Sequence, residues 1–211
     1  IAGDGKGAVL DDIVQVLAPC HPKLVLEFGC YVGYSASRMA RLLRKWGGHL
    51  VSVEVDPVHV CIARSVVEYA GLAASVSIYN GYSEEAIPNL HRTLGKRQAD
   101  IVFMDQRGTR FHIDLDALQA HKLLVDGCVV AADNVLKPGA PHFLWYLQES
   151  HEYELTVVSL REFACESIED WISVAHYHPS AEGAGPLPEP AASLEHLAFL
   201  TDRVRKRACA S

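Results

Sequence analysis

The chain has no long apolar run, no basic stripe and no cysteine pairs at metal spacing, and each absence removes a class of protein. No stretch approaches the roughly 20 apolar residues that cross a bilayer, and no basic segment leads into an apolar signal core at the start. Lysine and arginine total 19 against 26 acidic residues, a formal net charge of −7. Without a cationic stripe, no nucleic-acid partner is expected. The six cysteines (Cys20, Cys30, Cys61, Cys128, Cys165, Cys209) show neither a C-x-x-C pair nor zinc-ligand spacing. Several lie in apolar segments where a thiol packs as a small hydrophobe, which favours a reducing compartment. His176 and His178 alternate on a strand end, where exposure is favoured over metal ligation. There is no internal repeat. Placement is therefore expected to be cytoplasmic by default, without a membrane partner. The chain opens on Ile1, so an upstream targeting signal would lie outside it.

What is present describes a globular α/β protein. The 211 residues are 49% hydrophobic and 21% charged, enough for one domain with a substantial core. Leu10, Ile13, Val14 and Leu17 recur at helical spacing and open the chain with an amphipathic helix. Buried strands are expected at Lys23 to Phe28, Leu50 to Val55, Ser75 to Tyr79, Ile101 to Met104 and Gly127 to Ala132. Helices intervene, and the one after Pro57 sets Val58, Cys61, Ile62, Ser65, Val66 and Tyr69 along one stripe. A further helix, Pro141 to Ser150, precedes two strands, Tyr153 to Leu160 and Trp171 to Tyr177, spaced as an antiparallel pair. This alternation predicts a doubly wound, mostly parallel, seven-stranded sheet with helices on both faces. The domain is expected over 1–178. Residues 179–211 form a Pro/Gly/Ala-rich tail with a short basic-ended helix near Leu194 to Arg207, either packed on the domain, joined to a further segment or unstructured.

Function is concentrated at strand ends. Leu26-Glu27-Phe28-Gly29-Cys30-Tyr31-Val32-Gly33-Tyr34-Ser35 runs from an apolar strand through a glycine turn into a helix, the way such sheets offer backbone to a nucleotide-like ligand. The glycines are G-x-x-x-G, not the G-x-G-x-x-G that cradles a pyrophosphate, which disfavours a dinucleotide dehydrogenase. Glu54 closes the next strand, where a carboxylate can accept both hydroxyls of a ribose. Asp105, Asp133 and Asn134 close later strands. Three hard oxygen donors in that arrangement suit an octahedral divalent ion. Ser35 and Ser83 each have an alternative role as helix caps.

Taken together, these motifs resemble the catechol O-methyltransferase family over roughly Gly3 to Tyr177. The matching pieces are Gly3-Asp4-Gly5-Lys6-Gly7, Leu26 to Ser35, Ser37 to Leu43, Val53-Glu54, Asn80 to Ser83, Phe103 to Asp105, Ala132 to Val135 and Pro138-Gly139. The resemblance implies a class I, Rossmann-like methyltransferase that uses S-adenosylmethionine and Mg²⁺ on a small catechol-like acceptor. It implies cofactor contacts at Ala2, Glu27, Gly29, Tyr31, Ser35, Glu54, Gly81, Tyr82, Ser83, Glu84, Asp105 and Gln106. It further implies metal ligands at Asp105, Asp133 and Asn134, and catalytic roles for Asp105, Asn134 and Glu162, whose acid contacts the second hydroxyl. The family's Asp-His-Trp-Lys becomes Asp105-Gln106-Arg107-Gly108 here, so glycine stands where a lysine acts as general base. His112 and Lys137 are the candidate substitutes. Arg107 either pairs with an acidic acceptor or stacks on adenine. The other reading is a weakened S-adenosylmethionine-binding domain with an interaction or chaperone-like role. Oligomeric state is not encoded in any motif.

Overall fold

The computed structural model of the chain describes residues 4–18, 21–162, 165–180 and 185–208. The periodicity of the sequence becomes five parallel strands: β1 (Leu24–Phe28), β2 (His49–Glu54), β3 (Val76–Asn80), β4 (Ala99–Met104) and β5 (Leu124–Ala132). Helices α2 (Tyr34–Leu43), α3 (Pro57–Tyr69), α4 (Ser83–Leu94) and α5 (Phe111–Ala120) return the chain between them. After α6 (Pro141–Glu149), β6 (Tyr153–Glu162) and β7 (Cys165–Tyr177) form the expected antiparallel pair. The sheet order is β3-β2-β1-β4-β5-β7-β6, with β7 antiparallel to β5. The direction of winding reverses between β1 and β4, so their carboxyl ends diverge around a crevice.

Alternation along β1 shows how the layers divide. Leu24, Leu26 and Phe28 join α4, α5 and α6 in one core. Val25 packs with α1 (Asp4–Asp12), α2 and α3 in the other. Both faces are covered, which is why the parallel strands are almost continuously apolar. Glu27 falls on the same parity as Val25 and is fully buried, an exception that only a function or a partner explains.

The first helix continues from α1 into a π-helical turn, Ile13–Leu17. Leu10, Ile13 and Val14 are buried as the spacing predicts, whereas Leu17 is exposed. The stripe expected on α3 faces the other way. Asp56 caps this helix, accepting from Val58 N (2.8 Å) and His59 N (3.4 Å) with Pro57 in the first turn, and that entry turns Val60, Ala63 and Val67 inward. Val58, Cys61, Ile62, Val66 and Tyr69 face solvent.

At the far end, α7 (Ala192–Ala208) extends the short helix expected of the tail and packs on α6 and on the irregular turn Val135–Gly139. Among the described residues, no helix is long and apolar enough to cross a membrane.

Candidate active site

A cleft of about 640 Å³ opens at the carboxyl ends of β1, β2 and β4. Its floor is the turn after β1. Gly29 has φ +87°, and a Cβ there would stand 2.8 Å from the Asp105 carbonyl oxygen and 2.9 Å from Gln106 N. Only glycine allows both the conformation and the approach. Gly33, at φ +85°, begins α2, and no side chain caps that helix. Ser35 is not the cap the sequence allowed; it is buried, and its hydroxyl bonds Glu27.

Glu27 also accepts from Ser52 Oγ at 2.6 Å on Oε2, while Oε1 is buried and takes no hydrogen bond among the described residues. Burial pushes its pKa up to about 7, against the two serine hydrogen bonds. Glu54 sits at the tip of β2 and lines the cleft. Tyr31 N donates to its Oε2 (3.0 Å) and Asp56 N to its Oε1 (2.9 Å), which locks the carboxylate in place. Each oxygen keeps a lone-pair direction for a ligand hydroxyl. Tyr31 meets the His59 ring edge-on at 4.5 Å between centroids, and His59 Nδ1 lies 3.8 Å from Glu54.

Gly81, Tyr82, Ser83 and Glu84 line the opposite wall with Gln106. Ser83 begins α4 itself, and no side chain caps that helix either. Gln106 Nε2 donates to buried Asp114 (3.0 Å), and its Oε1 is a second buried acceptor with no hydrogen bond among the described residues. Arg110 bridges Glu84 (2.7 Å) and Asp114 (3.3 Å), tying α4 to α5 across this end. The cleft therefore offers a fixed carboxylate for a diol and, at Gln106, a buried acceptor oxygen, while Glu27 lies buried beneath it.

Next to it, Asp105 and Asp133 leave adjacent strands side by side, since Met104 pairs with Ala132 and Asp133 N donates to the Met104 carbonyl (3.0 Å). Asp105 is pushed up to about 8, first by burial and then by Asp133. Burial also raises Asp133, against the attraction of Lys6. Lys6 Nζ reaches Asp133 Oδ1 at 2.8 Å and Asp170 Oδ2 at 2.9 Å, with all three side chains buried. Asn134 holds a left-handed conformation, φ +60°, which asparagine tolerates better than most residues. Its Nδ2 donates to Asp170 Oδ2 at 2.6 Å, leaving the amide oxygen as its acceptor end. Lys137 N donates to Asp170 Oδ1 (2.9 Å). Burial would raise Asp170, but the bonds from Lys6 and the Lys137 N–H outweigh it and hold the carboxyl below its ordinary range.

These residues fit a hard divalent ion. Lys6 bridges two buried carboxylates, Asp133 raises the pKa of the neighbouring strand-end acid Asp105, and the third donor would be the oxygen of an amide whose nitrogen is anchored on Asp170. Among the described residues, no group of three or more His, Cys, Asp or Glu side chains converges as a metal cage; the expected set differs in having the amide as its third member. Lys6 takes Asp133 Oδ1, so that ligand is shared with the ammonium.

Ala2 lies outside the described residues, as does the side chain of Glu162 at the end of β6. The Lys137 side chain is exposed. His112 packs against the His142 ring, and burial together with His142 lowers its pKa. Arg107 is exposed at the cleft edge. Sequence reading missed Lys6, His59, Arg110 and Asp170. The run Gly3 to Gly7 contained Lys6, but nothing local marks it as a partner of residues so far along the chain.

Residues 26–135 match a family model described as a methyltransferase domain. A catechol O-methyltransferase of Mus musculus is 40% identical over 154 residues, 73% of this chain and 57% of that protein. The catechol O-methyltransferase of Sus scrofa is 39% identical over 154 residues, 73% of this chain and 81% of that protein. The chain spans somewhat more than half the length of the first curated relatives it matches. Among solved structures, an O-methyltransferase from Bacillus cereus in complex with SAH aligns with a TM-score of 0.74 at 22% identity, covering 84% of this chain and 82% of that one. That likeness carries the fold, a seven-stranded Rossmann-like sheet.

Proposed function

The chain belongs to the catechol O-methyltransferase family, and from that membership we propose that it moves the methyl group of S-adenosylmethionine to a hydroxyl of a small catechol-like acceptor with the help of Mg²⁺. The observation that carries this reading is Glu54, held by two backbone N–H groups at the cleft wall between the β1 turn and Gly81. A carboxylate fixed in that position accepts the two ribose hydroxyls of a nucleoside. Glu27 Oε1 is the acceptor for the ammonium of the methionine part, and Gln106 Oε1 for the adenine amine. The Gly29 turn brings backbone close to the sulfonium end.

Asp105, Asp133 and Asn134 would hold the ion; when bound, it would lower the pKa of an acceptor hydroxyl from about 10 toward neutrality and orient two vicinal oxygens. The chain's own part is positional. Asp170 anchors the Asn134 amide, and Lys6 balances the acidic cluster. Gly108 offers no proton acceptor, so turnover is expected below that of a relative with a lysine there by about 10²–10⁴, the usual worth of a general base. Cytoplasmic placement is part of the same proposal.

Calorimetry with S-adenosylmethionine, paired with labelled-methyl transfer to catechol with and without Mg²⁺, tests the reading. Binding, and transfer abolished by a chelator, are expected. Glu54→Ala should weaken cofactor binding by about tenfold or more, the loss of charge-assisted hydrogen bonds. Asp105→Asn should remove the Mg²⁺ dependence of thermal stability. Cofactor binding without transfer to any hydroxylated acceptor would overturn the proposal.

A further inference from the structure

Lys6 is a buried lysine held in place by its helix. It shares a face of α1 with Leu10, one turn further on, and both are buried. Gly7, beside it, lies against α2: a Cβ there would stand 2.7 Å from Arg38 Nη1 and 2.8 Å from its Cζ. Arg38 in turn donates to Asp11 through Nε (2.9 Å) and Nη2 (2.8 Å), a bidentate pair that pins α1 to α2. With both turns of α1 fixed, the Lys6 side chain runs inward to the acidic cluster.

There it meets a residue assigned to the ion and the anchor of another. Nζ lies 2.8 Å from Asp133 Oδ1 and 2.9 Å from Asp170 Oδ2, and the same Asp170 oxygen accepts from Asn134 Nδ2 at 2.6 Å. Burial and Asp133 push Asp105 up, and the Lys6 charge opposes them. An exposed lysine would swing into water as a metal arrived. A buried one keeps its charge beside the ligands, with little water or salt to screen it. The repulsion it exerts on an incoming cation grows in proportion to that cation's charge.

We infer that Lys6 is a resident cation that competes with the metal for Asp133, holding the site's affinity for divalent ions down and excluding more highly charged ions more strongly still. The inference rests on the reading that Asp105, Asp133 and Asn134 hold Mg²⁺. Left unopposed, a cluster of buried acids favours the hard cation of highest charge. Lys6 acts through Asp133 and is a positioning residue.

Calorimetric titration of the full chain with Mg²⁺ and, separately, with Tb³⁺ tests this. Lys6→Met should bind Mg²⁺ about tenfold more tightly than the wild type, since a unit charge one carboxylate away acts on a divalent ion even at the dielectric of water. Because the repulsion scales with ion charge, the gain for Tb³⁺ should be about thirtyfold. Lys6→Gln takes the place of Lys6→Met if the latter does not fold, as it keeps a donor for the acids and loses the charge. Equal or weaker Mg²⁺ binding by the neutral variant, with the wild type binding normally, overturns the role of Lys6 alone. An equal gain for the two ions overturns it as well, since that would report relaxed geometry instead of removed charge. Mg²⁺ bound by neither protein overturns the ion's place in the proposed reaction and this inference with it. Mg²⁺ bound by the neutral variant only supports the inference and removes the ion from the wild-type reaction.

Discussion

Glu27 and Glu54 close neighbouring strands, and the backbone treats them differently. Glu54 is gripped by N–H groups, while Glu27 has only the hydroxyls of Ser35 and Ser52 and one bare oxygen. Burial raises its pKa from 4.5 to about 7. Between those values the folded state keeps a proton that the unfolded chain has released, so stability falls as pH rises through the window. The loss amounts to about 3 kcal/mol at most. Glu27→Gln should flatten urea-unfolding stability across that window, and an unchanged slope would place the titration elsewhere. The same ionisation should strengthen binding of the cationic donor as pH passes 7 in the wild type, and calorimetry on Glu27→Gln should show that dependence gone. Sequence marked both acids because each ends an apolar run. It did not distinguish them, since Ser52 lies on another strand and the turn that brings Tyr31 N to Glu54 is tertiary.

At the scale of the element, α3 is the instructive case. Its buried residues Val60, Ala63 and Val67 are no more apolar than its exposed Val58, Ile62 and Val66. A helix apolar on both sides gives periodicity nothing to choose between, and the Asp56 cap decides the rotation. Val67→Ala should cost about 1–3 kcal/mol by urea titration, whereas Val66→Lys should stay within about 0.5 kcal/mol. The reverse order would restore the stripe the sequence suggested. The parallel strands were legible to within three residues at each end, because a strand covered on both faces leaves an unbroken apolar run bounded by turns. The docking of α7 was not, since it depends on two glycines far upstream, and the absence of a side chain at Gly108 and Gly139 carries no signal for what fills the space.

Across the whole molecule, Asp170 joins parts that are remote in the chain. It binds Lys6 of α1, 164 residues away, the Asn134 amide at the end of β5 and the N–H of Lys137. Such a junction is invisible to local pattern and is set only when the sheet closes. Lys6→Met removes the ammonium from between two buried acids. Unfolding by urea should show a loss of about 3–5 kcal/mol, the usual cost of breaking a buried ion pair. A loss below about 1 kcal/mol, the size expected of an exposed pair, would mean that water reaches the cluster.

The contact between Gly29 and the Asp105 carbonyl has a consequence for how this molecule can change. A single missing methyl lets the turn after β1 close onto the backbone of Asp105 and Gln106, so any larger residue at 29 would push the two strand ends apart. Variation in what the cleft accepts is therefore expected away from this pair of turns, in segments that can be exchanged while the inner spacing is kept.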